Sequence, residues 1–263
     1  MRMGSASPPA SCHPKVGADM VAVTRQHVVI TGGGSGIGAA VAGRLAGEGA
    51  RLTLIGRRKA PLEAIAGTCG RAVAICADVT DETALGGAIE AARDAQGPIH
   101  ALVASAGVAD AAPFARTDIA MLRRMMAVNL EGVFSACRLV LPGMLEAGFG
   151  RIIAVASTAG LKGYAYAGAY AASKHAVVGL VRSLALEVAT KGITVNAVCP
   201  GYADTEMTRE SLARIMEKTG RSEEEARASL TEANPQKRLV APEEVADAVC
   251  WLLGPKAAAV TGQ

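Results

Sequence analysis

From His27 onward, short runs of aliphatic and β-branched residues alternate with longer stretches whose apolar positions recur every three to four residues. The short runs predict strands at His27–Ile30, Arg51–Ile55, Ala72–Cys76, Ala101–Ala104, Arg151–Val155 and Ile193–Val198. The longer stretches predict helices at Ile37–Glu48, near Pro61–Thr68, at Asp81–Gln96, over about Thr117–Glu146, and at Tyr170–Thr190 and Pro242–Leu253. Strands with so little charge are buried on both faces, which happens when helices cover both sides of a parallel sheet. The fold class this predicts is α/β, a doubly wound parallel sheet. Right-handed crossovers then gather the C-terminal strand ends along one edge, where a site is expected.

Two regions break the rhythm. Residues 1–25 are rich in Ser, Pro, Ala and Gly without periodicity, which predicts a disordered extension before a single domain over 26–263; Met20 is a candidate start. Residues 204–233 are charged with a helical pattern, a helical insertion before the last helix. An insertion at this edge is read as a substrate lid, the alternative being a solvated hairpin.

Composition narrows the function. The chain has 263 residues, 51% hydrophobic and 19% charged, with a formal net charge of +3. Aromatics are 3% and basic runs are short, so the stacking platforms and basic stripe of a nucleic-acid binder are missing. No uncharged apolar run approaches the roughly 20 residues of a membrane span. The six cysteines are scattered without a C-x-x-C pair, so reduced thiols in a cytoplasmic protein are expected, and no metal site.

Thr31-Gly32-Gly33-Gly34-Ser35-Gly36-Ile37-Gly38 follows a strand and opens a helix. Glycines permit a tight turn and close approach to a pyrophosphate, and the helix N-terminus supplies N–H donors. At the end of the second strand, where an acidic residue would bind a ribose 2′-hydroxyl, stand Gly56-Arg57-Arg58-Lys59. Arg57 and Arg58 suit a 2′-phosphate and favour NADP(H), with NAD(H) the alternative. Asp78, followed by Val79, is read either as an acceptor for the adenine amine or as a helix cap.

Tyr170 and Lys174 lie one turn apart on a predicted helix, so both project from one face. An ammonium beside a phenol favours the phenolate and makes a proton donor and acceptor for carbonyl chemistry. With Asn129 in the long helix, Ser157 after the fifth strand, Ala106-Gly107 after the fourth and Pro200-Gly201 after the sixth, the chain resembles the short-chain dehydrogenase/reductase family from about His27 to its end. That resemblance implies a compact Rossmann-like domain in which Tyr170 is the acid/base and Lys174 lowers its pKa and binds the nicotinamide ribose. It further implies that Ser157 holds the carbonyl oxygen and Asn129 holds a water linked to Lys174. It assigns Gly32, Gly34, Ser35, Gly36, Ile37, Gly38, Asp78, Val79, Ala106, Gly107, Pro200, Gly201 and Thr205 to the cofactor. It also implies a homo-oligomer, a dimer or tetramer. Two departures stand out: Ala104-Ser105 replaces the usual paired asparagines, and the sequence stops at Gln263 where the family continues into an edge strand.

Tyr164, Tyr166 and Tyr202 concentrate near these residues in an aromatic-poor chain, which suggests an apolar substrate pocket with polar tips, or tyrosines covering loop surface. The Gly192–Tyr202 stretch resembles ketoreductases of acyl-thioester and polyketide metabolism. It implies 3-oxoacyl- or 3-hydroxyacyl-thioester substrates on CoA or acyl carrier protein, with Arg123, Arg124, Lys162 and Arg209 as candidate contacts. The competing readings are an NAD(H)-dependent catabolic dehydrogenase and a non-catalytic nucleotide-sensing or scaffold protein.

Overall fold

The computed structural model describes residues 23–263. The expected N-terminal extension therefore lies mostly outside the described residues; its last three, Val23–Arg25, form a 3₁₀ turn leading into the sheet. The strands are β1 (His27–Thr31), β2 (Arg51–Gly56), β3 (Ala72–Cys76), β4 (Ala101–Ala104), β5 (Gly150–Val155) and β6 (Ile193–Val198). They form a parallel sheet in the order β3-β2-β1-β4-β5-β6. The order reverses between β1 and β4, and the crevice beyond their C-terminal ends is the natural ligand site.

One face carries α1 (Gly36–Gly47), α2 (Lys59–Thr68) and α9 (Pro242–Leu253). The other carries α3 (Glu82–Gln96), α5 (Gly132–Ala147) and α6 (Gly168–Val188). Two apolar clusters, one per face, bury the sheet between them. The strands pack on both sides, and this is why they carry the continuous apolar runs seen in the sequence.

The single helix expected over Thr117–Glu146 is divided. Helix α4 (Ile119–Met126) passes through one π-turn, Ala127–Glu131, into α5. Asn129 sits in that turn, fully buried. By length and hydropathy the joined stretch Ile119–Ala147 would suffice to span a bilayer, but Val133, Ala136, Cys137, Val140 and Met144 pack in the apolar core against the sheet.

Between β6 and α9 lie α7 (Glu206–Thr219) and α8 (Glu223–Thr231), within the expected insertion. Helix α8 begins with a complete capping box between Ser222 and Glu225, and three glutamates occupy its first turn, where the helix dipole favours them. The last residues lie along the free edge of β6. Ala197 N donates to Gln263 O at 2.7 Å and Gly262 N to Val195 O at 2.8 Å. The edge is thus partly paired by a short tail.

Candidate active site

The glycine loop is built from contacts that no side chain would tolerate. A Cβ on Gly32 would lie 2.8 Å from the Ala106 backbone, and one on Gly38 would lie 2.3 Å from Gly32 O. Gly32 and Gly36 also have positive φ, +69° and +52°. The Ser35 side chain makes no capping hydrogen bond, so the first turn of α1 faces the crevice without a side-chain acceptor. This cradle, at the positive end of a helix dipole, fits a dinucleotide pyrophosphate.

The replacement of asparagines by Ala104-Ser105 leaves the β4 end braced through its backbone. Ser105 N donates to Thr31 O at 3.2 Å and Ala106 N to Thr31 Oγ1 at 3.4 Å. Gly107 leaves room beside the catalytic candidates, since a Cβ there would stand 3.3 Å from Asn129 Oδ1 and 3.6 Å from Lys174 Nζ.

At the adenosine end, Arg57 stands 3.9 Å from the Asp78 carboxylate, and Arg58 is bound in a two-bond fork to Glu206. Asp78 Oδ1 accepts from Thr80 N and from Thr80 Oγ1, both at 2.9 Å, closing a turn. The cap of α3 is Asp81 instead, whose carboxylate accepts from Ala84 N. The Val79 side chain is buried against Gly132, so only its backbone remains for a cofactor.

Tyr170, Lys174 and Ser157 converge at the ends of β5 and α6. Lys174 is buried, and its Nζ donates to Val155 O at 2.9 Å while lying 5.9 Å from the Tyr170 ring centroid. Burial without a carboxylate partner pulls the Lys174 ammonium down to about 8. Burial raises the Tyr170 phenol above its usual value, and a hydrogen bond with Ser157 opposes that rise. The net shift on Tyr170 is thus upward rather than the depression expected from Lys174, with burial the largest cause. The Ser157 side chain also accepts from Ala159 N at 3.1 Å, fixing its place at the strand end.

Asn129 ties three segments together. Its Nδ2 donates to Val108 O and Ser173 Oγ, each at 3.0 Å, and its Oδ1 accepts from Val108 N at 2.8 Å. Both amide protons are spent, so a water held by this side chain has only the second lone pair of Oδ1. Ser173 in turn donates to Tyr170 O at 2.7 Å. Ser173 went unread in the sequence because a buried serine inside a helix carries no pattern.

The tyrosines divide. Tyr164 Oη and Thr158 Oγ1 are 2.8 Å apart, and the Tyr164 ring meets Tyr202 edge-on at 6.2 Å between centroids. Both act electrostatically on Tyr170. Tyr166 does not join them: it is 67% exposed with φ +67° and its carbonyl accepts from Ala112 N, so it is a surface residue beside the cluster.

Asn234, just beyond the insertion, is a second residue the sequence hid. It is buried, accepts from Tyr202 N and donates to Tyr202 O and Arg238 O. Its Oδ1 would collide with any Cβ on Gly201, at 2.2 Å, which explains the glycine at this bend. Thr205 caps α7 and its Cγ2 lies 3.3 Å from the Cβ position of Gly36, so α7 starts against the glycine loop. Of the basic residues considered for a carrier, Arg124 pairs with Asp110, Arg209 with Asp204, and Lys162 stacks over Tyr164.

A doubly wound sheet with a dinucleotide cradle at its switch point, and a tyrosine–lysine–serine group beside it, defines an NAD(P)-dependent oxidoreductase. The chain belongs to the short-chain dehydrogenase family, whose model matches residues 26–215. It is 40% identical over 252 residues to a Streptomyces coelicolor protein named for an inferred ketoacyl reductase activity, covering 89% of this chain and 92% of that one. It is 40% identical over 237 residues to the L-tagatose-forming galactitol 2-dehydrogenase of Cereibacter sphaeroides, with 89% of each covered. The solved structure of a single-tryptophan-substitution variant of the actinorhodin polyketide ketoreductase with NADPH superposes with a TM-score of 0.87 at 37% identity, covering 92% of this chain and 96% of that one.

Proposed function

We propose that this enzyme interconverts a ketone and a secondary alcohol with NADP(H), its substrate being a 3-oxoacyl or 3-hydroxyacyl thioester on CoA or an acyl carrier protein. The observation that carries this reading is the meeting of Ser157 and Tyr170 at the sheet edge, with buried Lys174 beneath them and the glycine cradle alongside. The nicotinamide, when bound, supplies or takes the hydride. Ser157 orients the substrate oxygen by hydrogen bonding. Tyr170 donates a proton to that oxygen in reduction and accepts it in oxidation. Its raised pKa keeps it a proton carrier at neutral pH. Lys174, charged below about pH 8, holds the ribose and stabilises the phenolate after transfer. Asn129 and Ser173 set the position of α6 relative to the β4 loop.

The cofactor is held by the Gly32–Gly38 loop, by the backbone at Ala106-Gly107 and Val79, by Pro200-Gly201 and Thr205, and at the adenosine end by Arg57, Arg58 and Asp78. Lack of a carboxylate after β2 supports NADP(H). The thioester assignment is supported by the likeness to ketoacyl and polyketide reductases. Tyr164 and Tyr202 line the substrate side. Residues 204–233 act as a lid, supported by the packing of Leu212, Ile215 and Met216 with Tyr202 and by Arg214 reaching Ala109 O. A second reading, an NAD(H)-linked polyol or alcohol dehydrogenase, is favoured by the carboxylate already on Arg58 and the galactitol dehydrogenase relative.

The test is oxidation of NADPH and NADH with acetoacetyl-CoA beside simple ketones and polyols. Faster turnover with NADPH and the thioester is expected, and a loss of about 10²–10⁴-fold in kcat for Tyr170→Phe. Full activity of that variant would overturn the mechanism, and a preference for NADH over NADPH in the parent that Arg57→Ala leaves unchanged would overturn the cofactor assignment.

A further inference from the structure

One ion pair ties the start of α2 to the start of α7. Arg58, capping α2, gives Nη1 and Nη2 to Glu206 Oε1 and Oε2 at 3.0 and 2.6 Å. Glu206 is the first residue of α7. The two parallel bonds are the same fork with which a guanidinium grips a phosphate. The neighbour Arg57 is less engaged, 3.9 Å from Asp78 and 65% exposed. Thr205, beside Glu206, abuts Gly36 of the glycine loop, so the pair stands close to the pyrophosphate cradle.

Resting on the NADP(H) reading, we propose that Glu206 is a cofactor-selectivity residue: it occupies the fork of Arg58, so a ribose 2′-phosphate must displace its carboxylate, while NAD(H) leaves the pair in place. An exposed pair of this kind carries no more than about a fivefold equilibrium factor, so a dianionic phosphate wins the competition but loses part of its advantage. The start of α7 is set free from α2 when NADP(H) binds and stays tied when NAD(H) does. Glu206 acts through Arg58 and is a positioning residue.

The experiment is calorimetric binding of 2′,5′-ADP and of 5′-ADP to the parent, Glu206→Gln, Glu206→Asp, Arg58→Ala and the double variant Arg58→Ala/Glu206→Gln, with folding of each followed by circular dichroism. Glu206→Gln is expected to bind 2′,5′-ADP about two- to fivefold tighter and 5′-ADP as the parent does. Glu206→Asp restores much of the parent value, and the gain vanishes in the Arg58→Ala background. Equal tightening for both nucleotides, no tightening for either, or a gain that persists without Arg58 would overturn the proposal. If the parent itself binds both nucleotides equally, the NADP(H) reading fails; if the parent discriminates and Glu206→Gln does not change the ratio, the failure belongs to Glu206 alone.

Discussion

Lys174 is costly where it stands. A buried ammonium held by one carbonyl oxygen loses hydration that a single hydrogen bond does not replace, and its pKa falls to about 8 from an ordinary 10.5. The folded state therefore binds fewer protons than the unfolded state between about pH 8 and 10.5. Its charge burdens the fold at pH 7, by up to about 3 kcal/mol, and the burden fades as pH rises through that window. Lys174→Met should abolish turnover and yet raise the urea midpoint at pH 7, with the gap to the parent closing near pH 10. A lower midpoint at pH 7 would show that the Val155 contact outweighs desolvation. For the parent, kcat/KM for ketone reduction should be level below about pH 8 and fall above it, as the ammonium is lost. A profile level to about pH 9.5 would remove Lys174's charge from the mechanism.

At the scale of elements, the glycine loop and α1 separate two roles of one residue type. Gly38 and Gly43 both lie in α1, but a Cβ at Gly38 would meet Gly32 O at 2.3 Å whereas one at Gly43 meets nothing within 4 Å. Gly38→Ala should lose dinucleotide binding and about 1–3 kcal/mol of stability. Gly43→Ala should gain about 0.5–1 kcal/mol, since alanine orders a helix interior better than glycine. Thermal melts and calorimetry on the two variants check this, and a similar response of both would refute the steric account. The sequence distinguished these glycines only by the strand–loop–helix setting of the first. It marked the strands to within a residue or so because burial on both faces leaves a plain apolar run. The π-turn at Asn129 escaped it, because one extra residue in a helix changes no periodicity that a window of roughly eleven to eighteen residues can sense. The Asn129, Ser173 and Asn234 contacts escaped for a related reason: each is set by segments far apart in the chain, and a lone polar residue names no partner. The Arg58–Glu206 tie, 148 positions apart, was invisible on the same grounds, although Arg58 lay in a motif already singled out and Glu206 in the charged insertion.

For the whole molecule, the edge of the sheet opposite the site holds a buried histidine, His27, that is expected to govern its acid stability. His27 begins β1, fully buried, with its Nδ1 donating to Gly97 O and its Nε2 accepting from Thr53 Oγ1, each at 2.9 Å. That pairing fixes the neutral tautomer, and burial together with the nearby Arg51 and His100 holds the pKa at about 4, below the ordinary 6.5. Because the folded value is depressed, the unfolded chain binds the proton first as pH drops. Stability is then intact above about pH 6.5 and falls progressively toward pH 4, by about 3 kcal/mol in all. Between about pH 6.5 and 5 a free carboxylate is still mostly ionised, so histidine supplies most of the slope there. His100, whose pKa burial also lowers, adds to it in the same direction. Urea unfolding of the parent at about pH 7, 6, 5.5 and 5 should show that decline, roughly 1.5 kcal/mol between pH 6.5 and 5. His27→Gln, which keeps a donor and an acceptor without a titrating ring, should start less stable at pH 7 from imperfect packing and decline much less. Parallel pH slopes in parent and variant would mean that the acid sensitivity of this fold arises elsewhere than at the buried end of β1.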